Sequence, residues 1–442
     1  MLNQLPTEQW LKLMIKWKEL AALVEKLPSP QLPFGSGCTG SGLDAYAFQL
    51  FADVMHSMTG IRIPFQNELE VECNKKKRVW LKHFGKARFL SADVSDLINE
   101  TGTNEATGNV EEYPQWLFLY VFGFSCKDLS TLNNHSGGYK SSCIESGAGS
   151  TGVTWKGNLA YVTRIQPWML LIENVVAALK GRNREQIFKD LQEAGYIIAA
   201  VLLNSCEVGH PQYRPRAWFL ALLATRAQDP NVQAQLEDML ALLKLQGVIP
   251  ICEFLLPPDH PHFKNVFASR QVRGKQSRRF RWFLDHWKSR VREGDITRLK
   301  IPPELVSNIA EFNGLSAREA DMLTIFHQKN ALFRRPVVEL KHSISRVELR
   351  ETMAKQISSC LLPGSRLLLV DQRPIPRLLL GVEAMSIQGI PPEHTWPATI
   401  GSSPILTDSD WMDMAGNSFA GGCLVAMLIA GLSMIEIDAN AD

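Results

Sequence analysis

The residues most able to do chemistry begin with a cysteine. Trp116-Leu117-Phe118-Leu119-Tyr120-Val121-Phe122 reads as a buried strand and runs through Gly123-Phe124-Ser125 into Cys126. A cysteine just past the end of a strand in an open α/β sheet stands where such sheets bind ligands. Lys127 beside it favours the thiolate, the nucleophilic form, because a free thiol has a pKa of about 8.5 and nearby positive charge lowers it. Cysteines taken singly are more often buried and inert, so Cys126 needs partners. Two stretches supply them. The strand predicted at Met169–Ile172 ends in Glu173-Asn174-Val175, and Gln212-Tyr213-Arg214-Pro215-Arg216 leads into a strand predicted at Trp218–Leu223. Each is readable alone as a surface turn. Together they set a thiol, a carboxylic acid and a pair of arginines at successive loops of one sheet face.

The elements that must hold these loops alternate. From about residue 31 to 224, strands at 116–122, 169–172, 197–203 and 218–223 interleave with helices at 46–55, 176–180 and 184–194. That order predicts an α/β sandwich with a mostly parallel sheet and helices on both faces. Near its start, Gly35-Ser36-Gly37-Cys38-Thr39-Gly40-Ser41-Gly42 precedes a helix beginning near Leu43. Small residues let a bound nucleoside or amino acid approach the backbone, and a helix N-terminus offers free N–H donors. Glu72 and Asp93 follow short apolar runs at plausible strand ends, where an acid commonly takes ribose hydroxyls, although either is also readable as a solvated surface acid.

The bulk numbers set the frame. The chain has 442 residues, 45% hydrophobic and 21% charged, with a net charge of +2, which suits a globular protein of more than one compact unit. Eight cysteines without a C-x-x-C pair predict reduced thiols in an intracellular protein, with neither a disulfide framework nor a metal site. Residues 7–26 have apolar positions at helical spacing, with Lys12, Lys16 and Lys18 among them, unlike a signal peptide. The apolar run Phe419–Met434 is short for a membrane span and predicts a buried terminal helix. Ser316-x-x-Glu319 has the spacing of a capping box.

Taken in order, these motifs resemble the cytosine-5 DNA methyltransferase family. Ser36-Gly37-Cys38-Thr39-Gly40 is similar to its cofactor loop, Gly123-Phe124-Ser125-Cys126 to its G-x-P-C loop, and Glu173-Asn174-Val175 to its E-N-V motif. Gln212-x-Arg214-x-Arg216 matches Q-x-R-x-R, Arg377 to Pro391 resembles the R-x-L-T-P-R-E…Q-G-F-P stretch, and Gly416-Asn417-Ser418 resembles the final G-N-[AS] contact. The likeness spans about residues 34–225 and 373–436.

The resemblance implies a class I, Rossmann-like methyltransferase fold and S-adenosyl-L-methionine as cofactor. It implies covalent catalysis, in which Cys126 attacks carbon 6 of a flipped cytosine and Glu173 assists at ring nitrogen 3. Arg216 would hold the base carbonyl, Arg214 and Gln212 would brace the loops, and Asn174 would fix the Glu173 loop. Ser36, Gly37, Cys38, Gly40, Asn417 and Ser418 would line the cofactor, with Glu72 on its ribose and Asp93, or the neighbouring Asp96, on its adenine. Gly35 stands where the family has an adenine-stacking aromatic, and Phe34 is the expected substitute. Thr39 replaces a glycine, Gly381-Val382 replaces Pro-Arg, and the segment 141–154 lacks an arginine common in the catalytic loop. Ser125 replaces the loop proline and predicts a less rigid loop, in which Ser125→Pro raises the rate or at least does not harm it.

Between the two matching regions, Lys264 to Arg292 is dense in arginine and lysine interleaved with aromatics. Arg278, Arg279 and Arg281 are the expected phosphate contacts to duplex DNA, against the alternative of a solvated face. The expected organisation is an N-terminal helix (1–30), a catalytic domain (31–225), a target-recognition insert (226–372) and a C-terminal segment (373–442) returning to the catalytic domain. Two alternatives stay open: the same chemistry on transfer RNA, and a non-enzymatic reader or partner subunit. A nuclear location is expected if the source is eukaryotic.

Overall fold

The structure, a computed structural model, describes residues 1–130, 142–257, 259–263, 266, 315, 319, 322–323, 337–341, 357–369, 377–395, 399–400, 403–404 and 406–437. Arg278, Arg279 and Arg281, with Ser316 of the expected capping box, lie outside the described residues.

Two compact units divide the chain. The first comprises Met1–Gly209, Pro215–Gly247 and Ser418–Asp442, and the second His210–Arg214 and Val248–Asn417. The first unit is built on a seven-stranded sheet of β1 (Leu32–Gly37), β2 (Phe65–Val71), β3 (Phe89–Ser91), β6 (Leu119–Phe122), β7 (Met169–Asn174), β8 (Tyr196–Asn204) and β9 (Pro215–Leu223). A small hairpin, β4 (Thr101–Thr103) and β5 (Val110–Glu112), stands apart from it. The spatial order is β3-β2-β1-β6-β7-β9-β8. β9 alone runs antiparallel, paired to β7 on one side and β8 on the other. The order reverses between β1 and β6, which makes the carboxyl ends of these two strands the topological switch point.

Strand alternation sorts side chains into two layers. Tyr120, Phe122, Leu170, Ile172, Phe219 and Ala221 pack with α5 (Gly149–Ile165) and α6 (Gly181–Glu193), through Trp155, Tyr161, Ile187 and Leu191. On the other layer, Phe34 meets Phe48 of α2 (Leu43–Thr59) edge-on at 5.1 Å between ring centres. There the C-terminal α10 (Gly421–Met434) lies so close that a side chain at Gly431 would strike Met169 and Leu220. Almost all of α10 is buried, so its apolarity serves this core. α1 (Thr7–Val24) and α7 (Val232–Leu243) pack against α10. α7 therefore carries the first unit past residue 225, to Gly247, while residues 373–417 group with the second unit.

The predicted strands and helices recur with shifted ends. The strand expected at 116–122 enters the ladder only at Leu119, although Leu117 and Phe118 are fully buried before it. Residues 176–180 form a 3-10 turn, Val176–Leu179, that leads into α6. Two short helices, α3 (Lys75–Phe84) and α4 (Cys143–Ser146), complete the unit's helices up to α7, and Asn74 caps α3 by accepting from the Lys76 and Lys77 N–H groups.

The described parts of the second unit include a three-stranded antiparallel sheet of β10 (Val337–Glu339), β11 (Leu367–Leu369) and β12 (Arg377–Leu378), with α8 (Gly381–Gln388) and α9 (Asp408–Asn417). Arg377 forms a buried two-point pair with Glu383 at 2.6 and 2.8 Å. Glu383 also accepts from the Leu380 and Leu256 N–H groups, so every charge of the pair is answered.

Candidate active site

The loop after β1 is held from several sides. Thr39 donates its N–H to Val71 O at 2.9 Å and its hydroxyl to Ser36 O at 3.1 Å, and accepts from Val71 N–H at 3.2 Å. The threonine thus laces the loop to β2 where a glycine was expected. Glu72 accepts from Gly40 N–H at 3.0 Å and from Asn74 N–H at 2.7 Å, Ser41 O accepts from the Trp80 indole, and the Ser418 and Ser41 hydroxyls meet at 2.6 Å. Gly37 faces Tyr120 and Asn158 so closely that a Cβ would fall 2.0 Å from Asn158 Oδ1. Cys38 takes a left-handed φ of 55°, rare for a residue with a side chain. Burial first, then the charge of Glu72, pushes its thiol up to about 12, so it is neutral and unreactive.

Phe34 does not take the adenine-stacking place expected of it. It is 2% exposed, on the layer shared with Phe48 and Phe65, because alternation along β1 turns it toward α2. Gly35 could not carry an aromatic either, since a Cβ there would lie 2.8 Å from Leu117 and 3.2 Å from Tyr120. Ser36 is likewise buried on the α2 layer, with its hydroxyl beside Asp44. Asp93 is exposed at the end of β3 and caps the following turn through Ser95 N–H at 2.9 Å, while Asp96 is exposed within that turn. Asn417 folds its amide back onto Asp413. What fits a nucleoside-bearing cofactor is the remaining set at the switch point. It consists of the turn through Cys38 to Gly40, the Glu72 carboxylate at the end of β2, and the α2 N-terminus.

Beneath this loop lie two acids that the sequence did not single out. Asp44 and Glu70 are buried; among the described residues Glu70 Oε2 lacks a hydrogen-bond partner, and Asp44 has no cation beside it but only the Ser36 hydroxyl and the first N–H groups of α2. Burial raises the Asp44 carboxyl from 3.8 to about 6, and burial with the Asp44 charge raises Glu70 well above the usual range. Between about pH 4 and 6 the folded chain therefore binds more protons at Asp44 than the unfolded chain, and stability falls as pH rises through that window. Asp44→Asn is expected to stabilise the protein above pH 6, by up to about 3 kcal/mol, and to change little at pH 4. Thermal unfolding of both proteins across pH 4–8 checks this. A gain that does not depend on pH would refute it.

Cys126 is exposed on the loop after β6, and its carbonyl accepts from the Leu129 and Ser130 N–H groups, closing a tight turn. Phe122 is in register with Ile172 of the neighbouring β7, which places Glu173 beside Gly123. Asn174 ties the two loops together by donating to Phe124 O at 2.8 Å while accepting from Val175 N–H. Arg216 on β9 sets its Nε 3.0 Å from Glu173 Oε1, both side chains being largely buried. Trp218, opposite Glu173 on the same face, packs against Phe419, whose ring closes over Gly123. The structure thus brings Cys126, Glu173, Asn174 and Arg216 to the ends of three neighbouring strands. A thiol, a carboxyl and a guanidinium so arranged can add to an unsaturated ring carbon, hydrogen-bond a ring nitrogen and hold an exocyclic oxygen.

In the second unit, Gln212 is buried and bridges to Ser358, and Arg214 donates to Leu361 O at 2.8 Å and Gly416 O at 3.2 Å. The start of α5 also belongs to the site; the sequence set residues 141–154 beside the catalytic loop for a missing arginine and singled out none of the hydroxyls there. Thr154, Thr151 and Ser150 hydrogen-bond to Ser125 and Asp128 on either side of the cysteine. Three hydroxyl residues within about one helical turn were the available signal.

Strand order, the switch-point loop and the four grouped residues define a class I methyltransferase fold with a candidate site for covalent chemistry on a base. A sequence profile described as C-5 cytosine-specific DNA methylase matches residues 51–420, and the chain belongs to that family. It is similar to DNA (cytosine-5-)-methyltransferase DMT5 of Cryptococcus neoformans var. grubii, 24% identical over 247 residues, covering 55% of this chain and 10% of that protein. It is also similar to the type II methyltransferase M.BanI of Aneurinibacillus aneurinilyticus, 30% identical over 192 residues, covering 40% of this chain and 39% of that one. The chain thus spans well under half the length of these relatives. Among solved structures, S. pombe Dnmt2 methyltransferase aligns with a TM-score of 0.50 at 14% identity, over 91% of this chain and 98% of that one, a likeness of fold.

Proposed function

We propose that this chain methylates carbon 5 of cytosine in DNA, with S-adenosyl-L-methionine as donor and Cys126 as covalent nucleophile. The observation that carries the reading is the grouping of the Cys126 loop with the Glu173–Arg216 pair on neighbouring strands, joined through Asn174. Membership of a family described as DNA methylases, and relatives named as DNA methyltransferases, support DNA as the substrate.

When bound, the cofactor supplies an electrophilic methyl group. Gly37, Cys38 and Gly40 would hold it through the backbone, Glu72 at its ribose, Asp93 at its adenine, and Ser418 with Asn417 from the segment before α10. Cys126 thiolate adds to carbon 6 and leaves carbon 5 nucleophilic. Glu173 donates a proton or hydrogen bond at nitrogen 3, so that negative charge does not accumulate on the ring. Arg216 holds the carbonyl oxygen. After methylation, loss of the carbon 5 proton restores the double bond and expels the cysteine sulfur. Within a duplex the base must leave the stack to reach these groups.

The deciding experiment follows methyl transfer from labelled cofactor to duplex DNA and to transfer RNA. Label in DNA supports the proposal, label in transfer RNA alone redirects it, and label in neither favours a binding role. Binding to DNA should rest partly on Arg278, Arg279 and Arg281. Replacing all three with alanine is expected to weaken binding to every duplex, and to flatten the slope of log affinity against log salt by about 0.9 for each phosphate left without its arginine. The maximal rate at saturating DNA should change far less. An unchanged affinity and slope across a salt series removes this stretch from the interface.

A further inference from the structure

Cys126 is held by one helix on both of its sides. Before it, Ser125 N–H donates to Thr154 Oγ1 at 2.9 Å, and the Ser125 and Ser150 hydroxyls meet at 3.0 Å. After it, Asp128 N–H donates to Thr151 Oγ1 at 3.1 Å, and Asp128 Oδ2 accepts in return from Thr151 N–H at 2.9 Å and from the Ser150 hydroxyl at 3.4 Å. Helix α5 has no cap from its own N-cap residue, Ala148, so Asp128 supplies an acceptor to its first turn. Gly149 makes room for this carboxylate: its φ is +68°, and a Cβ would fall 2.5 Å from Asp128 Oδ2. The Thr154 hydroxyl is itself oriented, with Ser150 O at 2.8 Å and Thr151 O at 3.1 Å as acceptors for its hydrogen.

We infer that Ser150, Thr151 and Thr154 of α5, with Asp128, are positioning residues that hold Cys126 in attacking geometry. Hydrogen bonds here do the work a proline ring at position 125 would do. A proline fixes φ but has no N–H to donate, whereas Ser125 uses its N–H and its hydroxyl to reach the helix. Ser125→Pro, expected from the sequence to be harmless, therefore removes two of the bonds. The hydroxyls bond to Ser125 and Asp128, so they would act through the cysteine loop. The inference rests on the proposed role of Cys126 as nucleophile.

The test uses the full chain with Thr154→Val, Thr154→Ser and Ser125→Pro. Thr154→Val is expected to lower kcat by about tenfold to a hundredfold, the scale of misplacing a reacting group, with KM for DNA and cofactor nearly unchanged. Thr154→Ser should restore most of the rate. Ser125→Pro should lower kcat, and adding it to Thr154→Val should cost less than the two losses multiplied, because the variants share the Ser125–Thr154 bond and differ only in the Ser125–Ser150 contact. Amide exchange over residues 124–130, which needs no activity, should rise severalfold in Thr154→Val and fall back in Thr154→Ser. Exchange and kcat both unchanged in Thr154→Val would overturn the inference, as would faster exchange with kcat unchanged. A parent chain that methylates nothing would sink the activity reading instead, and amide exchange would still decide whether the lattice holds the loop.

Discussion

Cys126→Ser is expected to bind cofactor as the parent does and to transfer essentially no methyl groups, a loss of at least about a thousandfold. Carbon 5 of cytosine becomes nucleophilic only when a group adds to carbon 6. A serine hydroxyl at neutral pH carries almost no alkoxide, and the ordinary pKa of a thiol lies far closer to neutrality. Cofactor binding should survive because none of the bonds described above for the loop after β1 comes from residue 126; they come from Val71, Glu72, Trp80 and Ser418. The parent should also form a lasting covalent complex with DNA carrying 5-fluorocytosine. Once carbon 5 is methylated, fluorine cannot leave as the proton does, so the sulfur is not expelled. The serine variant should form none. Calorimetry of cofactor binding, label transfer and denaturing electrophoresis of the fluorocytosine complex give the three readings. Turnover by Cys126→Ser at the parental rate would end the covalent reading.

Glu173→Gln is expected to fall about 10²- to 10⁴-fold in rate while still folding. The amide keeps the shape of the carboxyl and can accept or donate a hydrogen bond, but it cannot deliver a proton to nitrogen 3. Arg216→Ala should lower the rate as well, for two reasons that a double variant separates. Arg216 is assigned to the base, and its Nε stands 3.0 Å from Glu173 Oε1, so its removal also frees the acid to move. If the two act as one unit, the double variant is hardly worse than the worse single one. Losses that multiply in full would mean that the pair acts independently and that its contact does not matter for the reaction. Thermal unfolding of each variant keeps loss of fold apart from loss of chemistry.

Much of the first unit was legible because it is locally encoded. Short continuous apolar runs announced β7, β8 and β9, and the motifs at their ends carried Glu173, Asn174 and Arg216 to neighbouring positions. The features missed depend on distant contacts. Phe34 looked available beside a cofactor loop, yet Phe48 and Phe65 claim it for the core. Thr39 looked like a departure from a glycine and proved to be a tie to β2. Ser125 looked like a missing constraint, and its replacement partners lie 25 and 29 residues further on, in a helix whose hydroxyl spacing means little until the loop is laid against it. The packing of α7 on α10 joins segments far apart in the chain, and no local pattern encodes such a contact.

The hydroxyl contact between Ser41 and Ser418 spans 377 residues of sequence. During synthesis at about 5–20 residues per second, the loop after β1 must wait roughly 20–75 s for its last partner to emerge. Met169 and Leu220, once made, likewise lack the helix that covers them, since α10 is made after all seven strands of the sheet. The nascent chain therefore carries an uncovered apolar sheet face and an unfinished cofactor loop at once, and both are resolved together when α10 docks. Folding of this unit is therefore a late event that waits on α10, and the interval before it is when the chain is most exposed to aggregation.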